Sequence, residues 1–553
     1  MDMYRAFLAI IISFLILIGY QYFFVPTQPT PPPVQTQQQQ TATPAVPATA
    51  ATPAAQPAAP AVSPPNTPIV AVDKNARDIT VETPLYTAVF FEQGGGLKSF
   101  VLKKYRIEKD TNAAPMELVM TGNPAELPLV FTLDNGAAAI LPVFKADREK
   151  LSLQEGSKGE LVMTAALENG LTIARTLNFD GDSYLFSSEY TVINTGAASQ
   201  QVTPAMVMTN APFSAANSTS RYLFSGPVAY VNNELQEIKG KKLTTGPLTM
   251  QGAVSWSAYE DNYFICAMIP EQNSAGMVTM SAAGDTVRTV VGGGLTGLAA
   301  GESKTFRYSA YFGPKKLSVL KDTGYELAQA VNFGWFDVLA KPMLFLLNFF
   351  YSYIGNYGVA IILLTCLIKG VFWPITQKGM KSMKNMQKLQ PRVAKLKEKF
   401  KDDPAKMNQE MMAMYKTYKV NPIGGCLPMI IQIPFFFALY RVLMAAIELR
   451  HAPFMLWIND LSAPDRLMIP GFDIPTLHGI PVLTLLMGAS MYLQQKMTPT
   501  TADPTQARIM QFLPVIFTFM FINFASGLVL YWFVNNLLSI LQQQIINRTT
   551  SKA

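Results

Sequence analysis

The sequence predicts a polytopic α-helical membrane protein that carries a large antiparallel β-sandwich domain. Hydrophobic residues make up 49% of the 553 residues and charged residues only 15%, against about 25% charged in soluble proteins. Apolar runs long enough to cross a bilayer lie at the N-terminus and again after residue 353. Between them, residues 69–325 show short alternating runs bounded by turn residues, which is typical of β-structure.

Residues 1–25 are predicted to form an N-terminal transmembrane anchor. Arg5 precedes an apolar stretch from Ala6 to Tyr20. A cleaved signal peptide is the alternative interpretation, but bulky residues rather than a small-residue cleavage motif follow the apolar stretch. This favours an uncleaved anchor. Residues 26–68 contain mostly Pro, Ala, Thr and Gln with no charge, a composition that predicts a disordered tether.

Residues 69–325 are predicted to form the β-sandwich. Between Asn169-Gly170 and Asp180-Gly181, which are typical two-residue hairpin turns, apolar residues alternate with polar ones. The apolar members are Leu171, Ile173, Leu177 and Phe179, and near the end of the domain Phe306, Tyr308, Ala310 and Phe312 alternate in the same way with Arg307, Ser309 and Tyr311. The two histidines of the chain, His451 and His478, lie outside this domain. A sandwich enzyme that depends on histidine acid–base chemistry is therefore excluded, and a binding or spacer module is favoured.

Residues 326–352 are predicted to contain an amphipathic helix that lies in the membrane interface. Val331, Trp335, Val338 and Leu339 would share one face, and the helix is expected to end at Lys341-Pro342. A linker helix packed on the sandwich is the alternative interpretation.

Residues 353–553 are predicted to form a five-helix core. The apolar spans cover about 353–374, 424–447, 480–495, 510–525 and 528–546. With the N-terminal anchor there are six spans, so both termini lie on one side. Basic residues gather on that side, at Arg5, the 378–420 loop, Lys496, Arg508, Arg548 and Lys552. By the positive-inside rule this side is the cytoplasm, which predicts a periplasmic β domain in a bacterial inner membrane.

The loop between residues 377 and 421 carries twelve basic and four acidic residues, so the rest of the chain is close to neutral. A general nucleic-acid binder would spread its charge differently, and no nucleic-acid partner is expected. Methionines recur on either side of Asp402-Asp-Pro404, which predicts a cytoplasmic helical hairpin over 378–420 with a methionine seam. The methionines are Met380, Met383, Met386, Met407, Met411, Met412 and Met414. Such a seam either packs the hairpin or receives apolar client segments transiently.

Lys369 lies within the apolar run from Gly358 to Trp373, and the five C-terminal spans contain no Asp, Glu or His. A cation at membrane depth marks a functional site by default, although Pro374 follows closely and a lysine near a helix end can extend its ammonium to the headgroups. Singly, the neutral polar residues of the spans are typical interhelical contacts, but together with an unpaired lysine they suggest a wet groove. They are Thr365, Gln432, Gln494, Gln495, Asn523, Ser526, Asn535, Asn536 and Ser539.

The absence of intramembrane carboxylates and histidines excludes a proton-coupled transporter and an intramembrane protease. A small-solute transporter of another kind would need inverted repeats or broken helices at the midplane, and no internal repeat is visible. An assembly scaffold that presents the β domain stays open as a third interpretation. Cys266, Cys366 and Cys426 form no recognisable disulfide framework or metal motif, and no cofactor is expected.

Two runs, Asn421-Pro-Ile-Gly-Gly-Cys-Leu-Pro428 and Ser526-Gly-Leu-Val-Leu-Tyr-Trp532, closely resemble the YidC/Oxa/Alb family of membrane protein insertases. The added anchor, tether and β domain resemble the Gram-negative bacterial form. The resemblance implies an ATP-independent insertase, not an enzyme, that acts on nascent membrane proteins alone or with the Sec translocon. It leaves the ribosome and the signal recognition machinery open as partners, and it implies a β-supersandwich for the β domain.

The resemblance also implies a hydrophilic groove that opens to the cytoplasm and to lipid. The family's groove cation, often an arginine, falls on Lys369; its groove glutamine falls on Gln495 and its aromatic position on Trp532. Client contacts run along the second and fourth spans, around Gln432 and Phe517, and Thr365 completes the predicted groove. On the hairpin, Met380, Met383, Met386 and Met411 are the predicted client contacts.

Overall fold

The computed structural model describes residues 73, 75–110, 112–121, 123, 126–137, 141–213, 224–272, 274–400, 403–418, 427–471, 477–497 and 504–551. The predicted anchor and tether lie outside these residues. The chain divides into two compact units. One comprises 1–63 and 502–510, of which only the beginning of a helix is described; the other comprises 64–501 and 511–553 and contains everything discussed below.

Twenty-one strands form the β domain as far as it is described. They are β1 (Asp78–Glu82), β2 (Tyr86–Phe91), β3 (Leu97–Arg106), β4 (Pro115–Glu117), β5 (Val130–Thr132), β6 (Lys145–Ala146), β7 (Lys150–Ser152), β8 (Lys158–Ala166), β9 (Leu171–Asp180), β10 (Leu185–Asn194), β11 (Gln200–Val202), β12 (Ala205–Asn210), β13 (Gly226–Val231), β14 (Glu234–Glu237), β15 (Leu248–Gln251), β16 (Val254–Glu260), β17 (Phe264–Pro270), β18 (Met277–Ala283), β19 (Thr286–Gly292), β20 (Thr296–Leu298) and β21 (Ser303–Pro314). A short helix, α1 (Gly240–Leu243), follows β14.

The strands form one nine-stranded sheet, two five-stranded sheets and a two-stranded sheet. The nine-stranded order is β14-β13-β16-β17-β21-β10-β9-β8-β6, and the five-stranded orders are β4-β3-β2-β1-β7 and β15-β18-β19-β12-β5. β11 pairs with β20. Neighbouring strands are antiparallel, except that β1 and β7 run parallel. The predicted antiparallel sandwich is therefore confirmed.

Both five-stranded sheets pack on the same face of the nine-stranded sheet. Phe186 and Tyr190 are both at even positions of β10, so they point to one face. Phe186 stacks on Phe100 of the first five-stranded sheet, with ring centroids 6.3 Å apart. Tyr190 stacks at 4.2 Å on Phe131 of the second. Aromatic residues thus fill the layer between the large sheet and the two smaller ones.

The hairpin between β8 and β9 lies where it was predicted and shows the predicted alternation, but its loop is longer than predicted. Residues of β9 alternate between buried and partly exposed positions, as expected. The amide of Leu167 donates to the carbonyl of Leu171 at 2.8 Å, so the turn has three loop residues rather than two. Gly170 ends that loop at a φ of +79°, where a side chain would be strained. Tyr311, predicted on the outer face of β21, is buried beside the ring of Tyr184, and its hydroxyl donates to the carbonyl of Pro314.

The predicted interfacial helix is displaced toward the C-terminus. After α2 (Leu317–Thr323), 3₁₀ turns occupy Leu327–Ala330 and Gly334–Phe336, and the helix α3 covers Asp337–Ile354. It does not end at Lys341-Pro342. Pro342 lies in its second turn, where the loss of one hydrogen bond is offset by the burial of Met343, Leu344 and Leu347.

The remaining helices are α4 (Tyr357–Lys388), α5 (Gln390–Lys399), α6 (Pro404–Thr417), α7 (Leu427–Ala445), α8 (Val482–Met497), α9 (Pro504–Phe521) and α10 (Ser526–Ser551). Five of them, α4 and α7 to α10, coincide with the five predicted spans. In the described part of the chain, α4 alone is long and apolar enough to cross a membrane by length and composition. Shorter apolar stretches cover Ile431–Ala445 and Gln511–Phe521.

The helix α4 does not end near Pro374 but continues to Lys388. Lys369 is therefore in the interior of a helix, and the helix-end premise of the headgroup interpretation is wrong. The hairpin is shorter than the predicted 378–420, because its first part belongs to α4. The two hairpin helices, α5 and α6, meet around Phe400, and Asp403 caps α6 by accepting a hydrogen bond from the amide of Lys406 at 3.0 Å.

The β domain packs on the loop that follows α7. The guanidinium of Arg450 donates to the carbonyls of Arg106 at 2.6 Å and Ile107 at 3.1 Å. It also lies over the ring of Phe264, 5.3 Å from the centroid. Lys109 donates to the carbonyl of Asn459 in the same loop. These contacts join the β3 end of the domain to the helical core.

Candidate functional site

Lys369 and Thr365 lie on one face of α4. They are four residues apart, the spacing that places two side chains above each other on a helix. Thr365 is 1% exposed and Lys369 is 7% exposed. The hydroxyl of Thr365 donates to the carbonyl of Ile361 at 2.6 Å, which satisfies it within the helix. Lys369 makes no hydrogen bond or ion pair with any residue that the structure describes.

Contacts with α10 fix the depth of Lys369 in the bundle. Toward the end of α4 that follows the β domain, a Cβ built on Gly527 would lie 3.4 Å from Cδ1 of Ile361. Toward the basic loop, the amide of Gln542 donates to the carbonyl of Trp373 at 3.3 Å. Lys369 lies between these levels, one turn before Trp373. Its charge is therefore covered within the helical core rather than placed at a helix end.

Gln432, Phe517 and Trp532 come together at the junction of α7, α9 and α10. The amide of Gln432 donates to Oδ1 of Asn535 on α10 at 3.2 Å. One turn along α7, the ring of Phe436 meets the indole of Trp532 edge-on at 5.1 Å. The indole is also 6.3 Å from the ring of Phe517. Its buried Nε1 has no hydrogen-bond partner among the described residues.

Several of the predicted groove residues hold helices together. Asn536 donates to Ser490 on α8 at 3.1 Å, and Ser539 bonds back to the carbonyl of Asn535. Asn523 accepts a hydrogen bond from Arg466, and Ser526 donates to the carbonyl of Asp460. The last two residues lie at the end of the bundle near the β domain, where they bind the loop before α8, and they do not belong to a groove at the depth of Lys369.

Gln495 is half-buried near the C-terminal end of α8, on the side of the basic loop. The described contacts of Gln432, Phe517 and Trp532 do not include it. The methionines Met380, Met383 and Met386 lie on the extension of α4, not on the hairpin, whereas Met411 lies on α6. All four are half-buried. The first group of methionines therefore belongs to α4 rather than to a separate hairpin helix, because α4 does not break at Pro374.

Two buried glutamines and a polar clamp were not predicted from the sequence. Gln542 and Gln543 are 0% and 3% exposed on α10. Their spacing of seven residues from Asn535 and Asn536 places them on the same stripe, and this was the signal that could have revealed them. The clamp is formed by Asp465 and Arg466, in the loop before α8.

This clamp ties the start of α8 to the segment between α9 and α10 at the end opposite the basic loop. Asp465, 2% exposed, accepts hydrogen bonds from the indole of Trp457 at 2.6 Å and the amide of Thr484 at 3.1 Å. Arg466 donates to the carbonyl of Ile522 at 2.9 Å and to Asn523 at 2.8 Å. Nothing in the composition of the loop predicted these long-range contacts.

Glu448 is the described carboxylate that follows α7 most directly. Burial raises its pKa above the usual glutamate range, and Asn348 donates a hydrogen bond to it at 3.5 Å. It lies beyond the helix end, outside the apolar spans. The described helical core thus combines a buried cation, an aromatic cluster and neutral amides. Such an arrangement can attract and hydrate a polar chain.

Family models match most of the chain. The model described as "60Kd inner membrane protein" matches residues 349–553, and the model described as "YidC periplasmic domain" matches residues 78–346. The boundary between the two matches falls within α3.

Curated relatives match over nearly their full length. A protein of Pelobacter propionicus named "Membrane protein insertase YidC" is 44% identical over 88% of this chain and 89% of its own. A protein of Geobacter sulfurreducens with the same name is 43% identical over 85% of this chain and 86% of its own.

A solved structure titled as an active YidC insertase is 19% identical over 86% of this chain and 93% of its own, with a TM-score of 0.36. A galactose mutarotase-like protein from Lactobacillus casei is 13% identical over 42% of this chain and 99% of its own, with a TM-score of 0.30. At these TM-scores neither solved structure supports an argument about this chain.

Proposed function

Because the chain belongs to the YidC family of membrane protein insertases, we propose that it inserts integral membrane proteins into the bacterial inner membrane through a hydrophilic groove around Lys369. The proposed groove is supported mainly by the buried ammonium of Lys369, which has no partner among the described residues. A desolvated charge is costly unless something pairs with it. A client chain that carries carboxylates would supply that partner.

The mechanism lowers the barrier for a hydrophilic tail to cross about 30 Å of hydrocarbon. Water and amide side chains in the groove hydrate the tail part of the way, and the ammonium attracts its acidic residues. The aromatic cluster of Phe436, Phe517 and Trp532 offers a surface for the apolar segment that follows. This segment then moves sideways into lipid, so that the step needs no nucleotide. No P-loop motif is present in the sequence.

Gln495 and the methionine surface would act on the cytoplasmic side of the groove. Met380, Met383 and Met386 follow one another along the extension of α4, and Met411 lies on α6. Flexible thioethers adapt to different apolar partners. We propose that they receive apolar client segments before these reach the bilayer, and that the insertase acts alone or with the Sec translocon.

The charge distribution sets the orientation. The basic loop and both termini would lie in the cytoplasm, and residues 26–325 in the periplasm. In spheroplasts, protease added from outside should degrade the tether and spare residues 378–420. Cleavage of that loop from outside would reverse the orientation.

Reconstitution tests the function directly. Purified protein in liposomes, without ATP, should insert a single-span client with a short hydrophilic tail, so that the tail becomes protected from external protease. Empty liposomes and liposomes with the Lys369→Glu variant are the controls. Release of a trapped small solute without client insertion would favour the transporter interpretation. Client folding without tail translocation would favour the scaffold.

A further inference from the structure

A polar cavity of about 460 Å³ lies between the β domain and the helical core. Its described wall comes from the ends of several strands, from the linker before α3 and from α7. The residues are Phe224, Ser225, Glu237, Lys239, Gly240, Glu260, Asn262, Lys315, Ala330, Asn332, Gly334, Arg441 and Ala445. Two carboxylates and three cations face one another across it. This volume is within the range of small-ligand sites, about 300–1,000 Å³.

Glu260 and Lys315 form a buried ion pair in the wall of this cavity. Their side chains are 3% and 12% exposed, and the ammonium of Lys315 is 2.9 Å from Oε1 of Glu260. The second carboxylate oxygen, Oε2, is buried and receives no hydrogen bond from any described residue. A buried carboxylate oxygen without a donor is costly. A ligand with N–H groups would remove that cost.

The cavity continues into an apolar surface along α7. Phe437, Arg441 and Ala445 are spaced by four residues, so they share one face of this helix. Arg441 and Ala445 line the cavity, while Phe437 lies a turn closer to the apolar part of α7 and stacks on Phe336 at 5.7 Å. Next to Gly334 in the cavity wall, Trp335 is 97% exposed. A polar cavity joined to exposed aromatic side chains at the end of a membrane helix matches the amphipathic shape of a lipid.

We propose that this cavity binds the headgroup of an aminophospholipid of the outer leaflet. The primary ammonium lies against the carboxylate of Glu260, and the phosphate lies toward Arg441 and Lys239. The acyl chains follow the face of Phe437 and Trp335. A zwitterionic headgroup fits because the wall offers both signs of charge, and a primary amine fits because the carboxylate oxygen needs a hydrogen donor. Nothing in the insertion mechanism uses these residues.

Protonation of Glu260 gives the site a pH dependence. Burial raises the pKa of Glu260 to about 7, with smaller contributions from Glu237 and Asp261, and Lys315 opposes the rise. Lys239 and Arg441 are the other charged groups on the wall. Because the folded pKa is raised, the ionised carboxylate destabilises the folded state progressively as pH rises from about 4.5 through 7. A bound ammonium favours the ionised form, so lipid binding should strengthen over the same range.

The test uses the purified full-length chain in mixed micelles of phosphatidylethanolamine and phosphatidylcholine with identical acyl chains. The two lipids differ only at the headgroup nitrogen, which carries N–H groups in phosphatidylethanolamine and methyl groups in phosphatidylcholine. Native mass spectrometry at pH 8 should show that phosphatidylethanolamine is retained about tenfold better, the scale of one charge-assisted hydrogen bond. Glu260→Gln should bring the ratio close to one. Glu237→Gln is the matched control, since this wall residue is exposed and is held by Asn332, and should keep the preference.

A retention ratio of phosphatidylethanolamine to phosphatidylcholine of one in the wild-type protein at pH 8 would overturn the proposal. An unchanged preference for phosphatidylethanolamine in Glu260→Gln would also overturn it. Equal displacement of the lipid by free phosphoethanolamine would assign the site to a soluble ligand instead. If Glu260→Gln does not fold, the wild-type ratio still decides. It should fall toward one between pH 8 and pH 6, and a constant ratio would contradict a role for Glu260.

Discussion

Lys369 carries its charge on a face of α4 that neighbouring helices cover. Its apolar surroundings and the lack of carboxylates in the spans could be predicted from the sequence alone. Its position inside the helix could not, because Pro374 suggested a helix end. Proline removes one backbone hydrogen bond and costs about 3 kcal/mol in a helix interior. Contacts such as that of Gln542 with the carbonyl of Trp373 join residues far apart in sequence, which a local pattern does not reveal.

The charge of Lys369 should matter more than its shape. At an effective dielectric of about 20, two opposite charges about 4 Å apart attract by about 4 kcal/mol before desolvation is subtracted. Lys369→Arg should therefore keep insertion, Lys369→Ala should slow clients with acidic tails by about tenfold, and Lys369→Glu should be the slowest. Insertion rates of paired clients with acidic and neutral tails measure this difference.

Lys381→Glu is the matched control, because this residue is on the same helix but exposed to solvent. If every Lys369 variant slows the insertion of acidic-tailed and neutral-tailed clients equally, Lys369 has no electrostatic role.

Hydrophobic runs located the helices well, since each of the five predicted spans overlaps one helix of the structure. Element boundaries were less predictable where a helix continues from an apolar run into the basic loop, as α4 does up to Lys388. Met380 therefore lies on α4 rather than on a hairpin helix, whereas Met411 lies on the second hairpin helix as predicted. Periodicity reports a helical face, but it does not show where one helix ends and the next begins.

Close packing of α8 on α9 depends on Gly488. A Cβ at this position would lie 2.0 Å from Oγ1 of Thr518, whose hydroxyl is held by the carbonyl of Pro514 at 2.7 Å. Gly488→Ala should therefore destabilise the protein by about 1–3 kcal/mol through overpacking. Gly370→Ala on α4 is the control, since a Cβ there meets nothing within 4 Å and helix propensity improves. Thermal unfolding in detergent should show a lower Tm for the first variant only, and equal Tm values would argue against a tight contact.

The arrangement of the four sheets of the β domain could not be predicted from the sequence. Alternation predicted which residues of β9 face inward but failed at Tyr311 of β21, and sheet order depends on pairings such as β10 with β21, which are more than a hundred residues apart. The β domain and the helical core meet at Arg450, a contact that the sequence did not predict. Long-range contacts of single residues, rather than local patterns, decide how the parts of the molecule meet.

The β domain should be dispensable for insertion. The proposed groove residues all follow α3, and the tether carries no charged residue. Deletion of residues 69–325 with α3 retained should therefore support growth of cells that lack the native protein, whereas a deletion extended through Ile354 should not. Failure of the shorter deletion protein, despite correct insertion into the membrane, would show an essential role for the domain.

Site-specific photo-crosslinking during insertion tests the groove most directly. A photoreactive amino acid at Gln432 or Trp532 should capture the tail or the apolar segment of an arrested client. The same amino acid at Val371, which is two residues from Lys369 but 64% exposed on the opposite side of α4, should capture lipid. Equal capture of the client from Val371, or none from Gln432 and Trp532, would contradict a client groove at this site.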